Sequence, residues 1–359
     1  MKIQINTNDL QNMLKKSKGL ELRKLNIDFQ KGLLVSTGTE GIKLIMYNLE
    51  TQIKSIISGD VTEPGQVLIP EQTLNLLENF KNGPITITSD SIVYGTKEIK
   101  FVSGPLDAYG ELDMLGVPMF KLFETTEAEL NHLLEVKYAT TTNATRPNLE
   151  GINIYKNKFA ATNAYCISTR ESDQFHIYEN IVISQNLWKT LLKAVDKKSK
   201  NPVKVFWDQK KIISFQFNDF EITGKLLEGT FLDIEKILKV KNVTKITLKT
   251  KELLKTVRLM KKLKADKKLI KLCVDNPLKI ESGDNENTII DEISVDEFKG
   301  QPLEIWFNVD CFYDVLNQFK NEIVDVGFSY NIRPMIIKSD KKLEFLLPVK
   351  PRTENECET

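Results

Sequence analysis

The chain repeats its own opening three times, at intervals of about 120 residues, and a fixed period of that kind signals copies of one fold. The first copy runs Ile3-Gln4-Ile5-Asn6-Thr7-Asn8-Asp9-Leu10, with Leu14 behind it. The second runs Phe120-Lys121-Leu122-Phe123-Glu124-Thr125-Thr126-Glu127, followed by Leu130, Leu133 and Leu134. The third runs Lys245-Ile246-Thr247-Leu248-Lys249-Thr250-Lys251-Glu252, followed by Leu253, Leu254 and Val257. Each reads as a short alternating strand, a Thr or Asn helix cap, and apolar residues at helical spacing. About 60 residues after each, a second helix recurs. Pro70, Ser184 and Asn308 open these helices, and apolar stripes follow at Leu74–Leu77, Leu187–Leu191 and Phe312–Leu316. Between them lie alternating runs such as Ile85-Thr86-Ile87-Thr88 and Ile212-Ile213-Ser214-Phe215, which read as half-buried strands. The pattern predicts an α+β chain of three tandem copies, each with two helices and about eight strands, the helices covering one face of the sheets. A chain of 359 residues exceeds what one core comfortably supports, which agrees.

The chemical inventory is thin. Cys166, Cys273, Cys311 and Cys357 show no C-x-x-C spacing, which argues for reduced thiols and against a structural zinc. His132 and His176 are the only histidines and have no partner spacing for a metal or a triad. No phosphate-loop, dinucleotide or nucleophile-elbow motif is present. Thr37-Gly38-Thr39-Glu40-Gly41 sits between two strands and reads as a turn. Asp291-Glu292 and Asp296-Glu297 read as solvated surface. The expectation is a protein with no enzymatic activity, no cofactor and no metal. No apolar run reaches the roughly 18 residues a membrane helix needs, and no leader pattern opens the chain, so a cytoplasmic protein without membrane contact is expected. Only residues 353–359 read as a loose tail.

Charge is distributed unevenly. The six predicted helices, 8–18, 70–81, 126–137, 184–200, 250–268 and 308–320, carry 19 basic and 11 acidic residues, whereas the whole chain has a net charge of +1. Most of the excess lies at Lys189, Lys193, Lys197, Lys198 and Lys200, and along the 250–268 helix. A single helix of this kind is a solvated face. Six equivalent helices on one surface would make that surface positive and suited to a nucleic-acid backbone. Lysine dominates over arginine, so contact would be to phosphates and indifferent to base sequence.

Five further segments carry a resemblance. Asn143-Ala144-Thr145-Arg146-Pro147-Asn148-Leu149-Glu150-Gly151-Ile152 is followed by Ala160-Ala161-Thr162-Asn163-Ala164-Tyr165-Cys166-Ile167. Then come Leu226-Leu227-Glu228-Gly229-Thr230-Phe231-Leu232-Asp233, Phe307-Asn308-Val309, and Phe345-Leu346-Leu347-Pro348-Val349-Lys350. In this order the chain resembles the bacterial DNA polymerase III beta subunit, the sliding-clamp family. The resemblance implies clamp domains at 1–118, 119–240 and 241–352, and two chains closing head to tail into a ring around duplex DNA. The implied partners are double-stranded DNA, the DNA polymerase III catalytic subunit, the clamp loader, other clamp-motif proteins and a second copy of the chain.

The resemblance also nominates residues. A partner-peptide groove would comprise Leu149, Thr162, Ala164, Tyr165, Cys166 and Ile167, with Ile332, Pro334, Phe345, Leu346, Leu347, Pro348 and Val349. DNA contacts would fall on Lys16, Lys18, Asn143, Arg146, Lys197, Lys198 and Lys200, with the lysines of the 250–268 helix as additional lining. Ring closure would set an edge strand with exposed Ile99 and Phe101 against Met260 and Leu263. Where the family has Asp-Gly-His-Arg-Leu this chain has Asn163-Ala164-Tyr165-Cys166-Ile167. That departure predicts an altered peptide preference and admits a divergent clamp serving a specialised or mobile-element system. The rival readings are a sequence-specific DNA-binding regulator that forms no ring, for which no reading helix is evident, and a DNA-processing enzyme, for which no metal-carboxylate or nucleophile cluster is found.

Overall fold

Local capping starts most of the helices where the sequence places them. In the computed structural model, Asn6 Oδ1 accepts from Asn8 N at the start of α1 (Thr7–Lys16). Thr126 Oγ1 accepts from Glu129 N at α3 (Glu127–Leu133), Ser184 Oγ from Leu187 N at α4 (Gln185–Ala194), and Asn308 Oδ1 from Cys311 N at α7 (Val309–Leu316). These bonds satisfy N–H groups that a helix's first turn leaves without an internal acceptor. Pro70 precedes α2 (Glu71–Leu77), α5 spans Ile234–Leu238, and α6 spans Thr250–Met260. The structure describes residues 1–20, 32–106, 119–141, 147–238, 241–263, 268–284 and 286–350. Asn143, Arg146, Lys264, Lys267 and the 353–359 tail lie outside the described residues.

One scheme recurs three times. The strand Lys2–Asn6 pairs antiparallel with Pro84–Thr88, Phe120–Thr126 with Pro202–Trp207, and Thr244–Lys249 with Ile323–Phe328. In each case the first strand of the copy meets the strand that follows the copy's second helix. The first residue of each leading helix is buried and tied to the loop leaving that second helix. Thr7 N donates to Gly83 O at 2.9 Å, Glu127 N to Asn201 O at 3.1 Å, and Thr250 N to Glu322 O at 3.0 Å. Side chains reinforce the tie. Thr7 Oγ1 donates to Lys81 O, and Thr250 Oγ1 donates to Phe319 O. Glu127 accepts from Asp196 N at 2.8 Å and from Ser199 Oγ at 2.9 Å.

These ties correct two sequence expectations. Thr250 is not a cap: the residue before α6 is Lys249, which makes no capping bond, and the Thr250 hydroxyl is spent on the distant loop. The helices are also shorter than predicted. α4 ends at Ala194 rather than at 200, and α7 at Leu316 rather than at 320. The chain beyond each must leave the helix to present its polar backbone atoms to the tie. Lys197, Lys198 and Lys200 consequently sit in a loop and not on a helix face.

The chain divides into two compact units. The first comprises Met1–Leu134, Gly151–Asn157 and Asp173–Gly229; the second comprises Glu135–Glu150, Lys158–Ser172 and the chain from Thr230 onward. Within the first unit, a five-stranded sheet runs Asp60–Glu63, Lys2–Asn6, Pro84–Thr88, Ser91–Tyr94, Lys97–Lys100. An eight-stranded sheet in the same unit joins Phe120–Thr126 to Gln66–Pro70, with Phe220–Lys225 and Thr51–Ile57 paired at its centre. Within the second unit, a four-stranded sheet has Thr288–Ile293 at one edge. A further run of strands places Cys166–Glu171, Lys342–Leu346 and Met335–Ser339 side by side. Alternation does the packing throughout: Ile3 and Ile5, Val203 and Val205, and Ile246 and Leu248 are all at most 3% exposed.

Candidate functional site: an apolar groove in the second unit

The groove is built on one turn and one strand pairing. In the turn from Thr162 to Cys166, Asn163 Oδ1 accepts from Tyr165 N at 3.0 Å and Cys166 N at 2.9 Å. Thr162 Oγ1 donates to Cys166 O at 2.8 Å. An aspartate's negative charge is therefore not needed to hold this turn, since the asparagine carbonyl makes the same bonds. Ala164 closes it with φ +72°, in the left-handed region that glycine occupies without cost. Leu347 N then donates to Tyr165 O at 2.9 Å and joins the turn to the end of the last strand.

The strands Cys166–Glu171 and Lys342–Leu346 run antiparallel with Ile167 opposite Phe345 and Ser168 opposite Glu344. Ile167, Leu343 and Phe345 form one buried cluster, against which Ile234 and Ile237 of α5 and Ile336 pack. The result is an open groove of about 490 Å³, with Ile167, Phe345 and Ile237 among its lining and Tyr165, Leu232, Ile332 and Leu347 as exposed apolar walls. Tyr165 is 66% and Ile332 71% exposed, which is unusual for side chains of this size unless something covers them. Lys236 and Arg333 are the charged residues of the lining, and Lys236 pairs with Asp233 at 3.2 Å. The Cys166 thiol, with burial and then the nearby Glu344 carboxylate opposing its ionisation, is pushed up to about 12.

Of the residues nominated for the groove, Thr162, Ala164, Tyr165, Cys166, Ile167, Ile332, Pro334, Phe345 and Leu347 line it together. Leu346, on the opposite face of its strand, is 1% exposed and lies outside the lining. Leu149 lies in the turn Pro147–Glu150, also outside the lining, half-buried, with its carbonyl accepting from Thr141 N. Pro348 and Val349 have passed the groove, and Val349 N donates to Trp306 O. Leu232, Lys236, Ile237 and Arg333 were not nominated. The spacing of Leu232, Ile234 and Ile237 was a visible apolar signal, but α5 is only five residues long and shows no full helical period.

The nominated cationic residues separate into two kinds. Lys16 is already neutralised, with its ammonium 2.5 Å from Asp219 and 3.8 Å above the Phe220 ring. Lys18 lies 3.3 Å from Glu78. Lys197, Lys198 and Lys200 are exposed and make no ion pair among the described residues. On α6, Lys251, Lys255 and Arg258 are exposed, whereas Lys261, just past it, is held by Asp310 and Asp314 at 3.4 and 3.5 Å.

The residues nominated for ring closure need correction in two respects. Ile99 and Phe101 are half-buried rather than exposed, because Ile99 packs opposite Ile92 and Phe101 N donates to Asp90 O. Lys97–Lys100 is nevertheless an edge strand of its sheet. Met260 completes the inward stripe of α6 and is 2% exposed, and Leu263 is half-buried. The exposed apolar residues near them are Leu259 on α6 and Ile290 on the edge strand Thr288–Ile293.

Among the described residues, no group of three His, Cys, Asp or Glu side chains is placed to hold a metal ion. Among the same residues, no helix is long and apolar enough to cross a membrane.

Known proteins share this geometry. Residues 235–347 match the model of the DNA polymerase III beta subunit, C-terminal domain. The chain is 21% identical over 353 residues to the beta sliding clamp of Staphylococcus epidermidis, covering 91% of each. The DNA polymerase sliding clamp of Bacillus subtilis superimposes with a TM-score of 0.89 at 19% identity, over 98% of this chain and 100% of that one. A Pseudomonas aeruginosa sliding clamp bound to griselimycin gives 0.87 at 18% identity, over 98% and 100%. Residues 235–347 thus match the C-terminal domain of the DNA polymerase III beta subunit, and the chain along almost its whole length shares the fold of solved sliding clamps.

Proposed function

We propose that this chain is a DNA sliding clamp, a processivity factor that acts without catalysis. Two copies close head to tail into a ring, duplex DNA passes through it, and the replicative polymerase and other partners are tethered through the groove. The observation that carries this reading is the groove itself. It is apolar, open and built by one unit, and most of the residues that the family resemblance nominates for partner peptides meet there. The threefold recurrence of the strand pairing and of the helix-start tie supports reading the chain as three copies of one domain, bounded near residues 118 and 240.

The physics suits a tether. A closed ring holds DNA by topology, so attraction to phosphates can stay weak and delocalised and still permit sliding. Two strand edges left open among the described residues, Lys97–Lys100 and Thr288–Ile293, support a closure in which each chain lends one edge to the other. The site of action is the cytoplasm, where DNA, polymerase and loader meet. The test is solution mass by light scattering across a dilution series. A species of twice the 41.1 kDa chain is expected; a monomer that persists at all concentrations would overturn the ring.

A further inference from the structure

On the reverse side of the strands that floor the groove lies a cluster of buried charges to which the partner-site reading assigns no role. Arg170 and Glu344 are both fully buried, and Arg170 Nη1 donates to Glu344 Oε1 at 2.6 Å. Ser168 Oγ donates to the same oxygen at 2.9 Å, and the Tyr138 hydroxyl donates to the other carboxylate oxygen at 2.5 Å. Arg170 is completed by Gln318 Oε1 at 3.2 Å and by the Thr169 carbonyl at 2.9 Å. Burying two charges costs several kcal/mol per ion before pairing, so such a cluster is weak evidence of stabilisation in itself.

Its position in the strand register suggests what it does. Ser168 faces Glu344, one step along from the Ile167–Phe345 pair of the groove floor. A slip of one residue would turn Phe345 and Leu347 away from the groove and bring Glu344 into its floor. Hydrophobic patterning resists this slip poorly. Leu343, Phe345 and Leu347 share one face, but Leu346 is apolar and buried on the other, so patterning alone does not forbid the exchange. The charges do resist it: after a slip Arg170 would exchange Glu344 at 2.6 Å for Glu135 alone, 3.7 Å from its Nε, and Glu344 would lose the Arg170 guanidinium. We propose that the Arg170–Glu344 pair, with Tyr138 and Ser168, is the positioning device that fixes the register of the two groove-bearing strands and so aligns Ile167, Phe345 and Leu347. Its consequence for partner binding rests on the proposed function, whereas the register role itself does not.

The test is hydrogen exchange on the full chain, comparing parent with the double variant R170M/E344L. Apolar replacement of a buried pair is commonly neutral or stabilising, so the unfolding midpoint is expected to match or exceed the parent's. Amide protection at Leu347, whose N–H crosses to Tyr165 O, is nevertheless expected to fall by about tenfold or more, while Ile323–Phe328 keeps its protection. Parental protection at that amide overturns the proposal. A loss spread evenly over both units marks a merely structural contribution and overturns it equally. Should the double variant not fold, Glu344→Gln, which keeps an acceptor for Arg170, is compared with Glu344→Met. Retained protection in the glutamine variant and loss in the methionine variant support the register role, and equal protection in the two sinks it. No ligand enters these readouts, so their failure is distinguishable from failure of the partner-site reading.

Discussion

Ala164 stands in a conformation its side chain disfavours, at the point where the family resemblance expects glycine. With φ +72° its Cβ crowds the following carbonyl, at a cost of roughly 1–2 kcal/mol. Glycine would relieve that strain but would also widen the unfolded ensemble, which returns about half of the gain. Ala164→Gly is therefore expected to stabilise the fold by about 0.5–1 kcal/mol, measured by urea unfolding; a destabilised variant would show that the Ala164 methyl is held by packing. Cys166, two residues on, makes a pH-dependent contribution. Its folded pKa, about 12, lies above the ordinary 9.0, so the folded chain retains a proton that the unfolded chain gives up. Stability from this group is intact below pH 9 and declines as pH rises toward 12, by up to about 1.4 kcal/mol per pH unit. The same shift starves the thiolate. Iodoacetamide at pH 8 should label Cys166 in the folded chain on the order of a hundred- to a thousandfold more slowly than in the unfolded chain. Equal rates by mass spectrometry would show that burial does not hold the proton.

Between residue and fold, the ties at the helix starts do what local propensity does not. Glu127 receives both Asp196 N and Ser199 Oγ, and it is 8% exposed. Removing the carboxylate leaves two donors in a poorly hydrated place, so Glu127→Ala is expected to cost about 1.5–3 kcal/mol in thermal or urea unfolding. A cost below about 0.5 kcal/mol would mean that the two donors turn to water instead. These ties also explain what the sequence reveals and what it conceals. Asn6, Thr126, Ser184 and Asn308 were legible because a cap acts within three residues of itself. The helix ends were not, because Ala194 is followed by a loop held by Glu127 and Leu316 by a tighter 3-10 turn, Asn317–Phe319, held by Thr250, each tie reaching back some 70 positions. Most of the groove was legible through the family motifs. Leu346 was misplaced only because a motif names neighbours without saying which face each one takes. The α5 wall escaped because five residues carry no period.

At the scale of the molecule, the proposed passage of DNA through a ring turns on which positive charges remain available to phosphates. Counting lysines along the chain cannot answer it, since Lys16 finds Asp219 across 203 positions and Lys261 finds Asp310 and Asp314 across a helix pair. Lys197, Lys198 and Lys200 are exposed and have no such partner among the described residues. Each phosphate no longer neutralised by the protein should lower the slope of log affinity against log salt by about 0.9. The triple variant K197E/K198E/K200E is thus expected to lower that slope by about 2–3, with the difference from parent largest at low salt. Lys16→Ala is the internal contrast. It removes a charge that Asp219 already balances, so its effect on the slope should fall well short of that of a single phosphate, measured on the same DNA by fluorescence anisotropy. If Lys16→Ala moved the slope as far as one loop lysine does, the Asp219 pair would have to open when DNA enters. If the triple variant left the slope unchanged, the DNA path would run elsewhere, with the exposed Lys251, Lys255 and Arg258 of α6 the next residues to reverse.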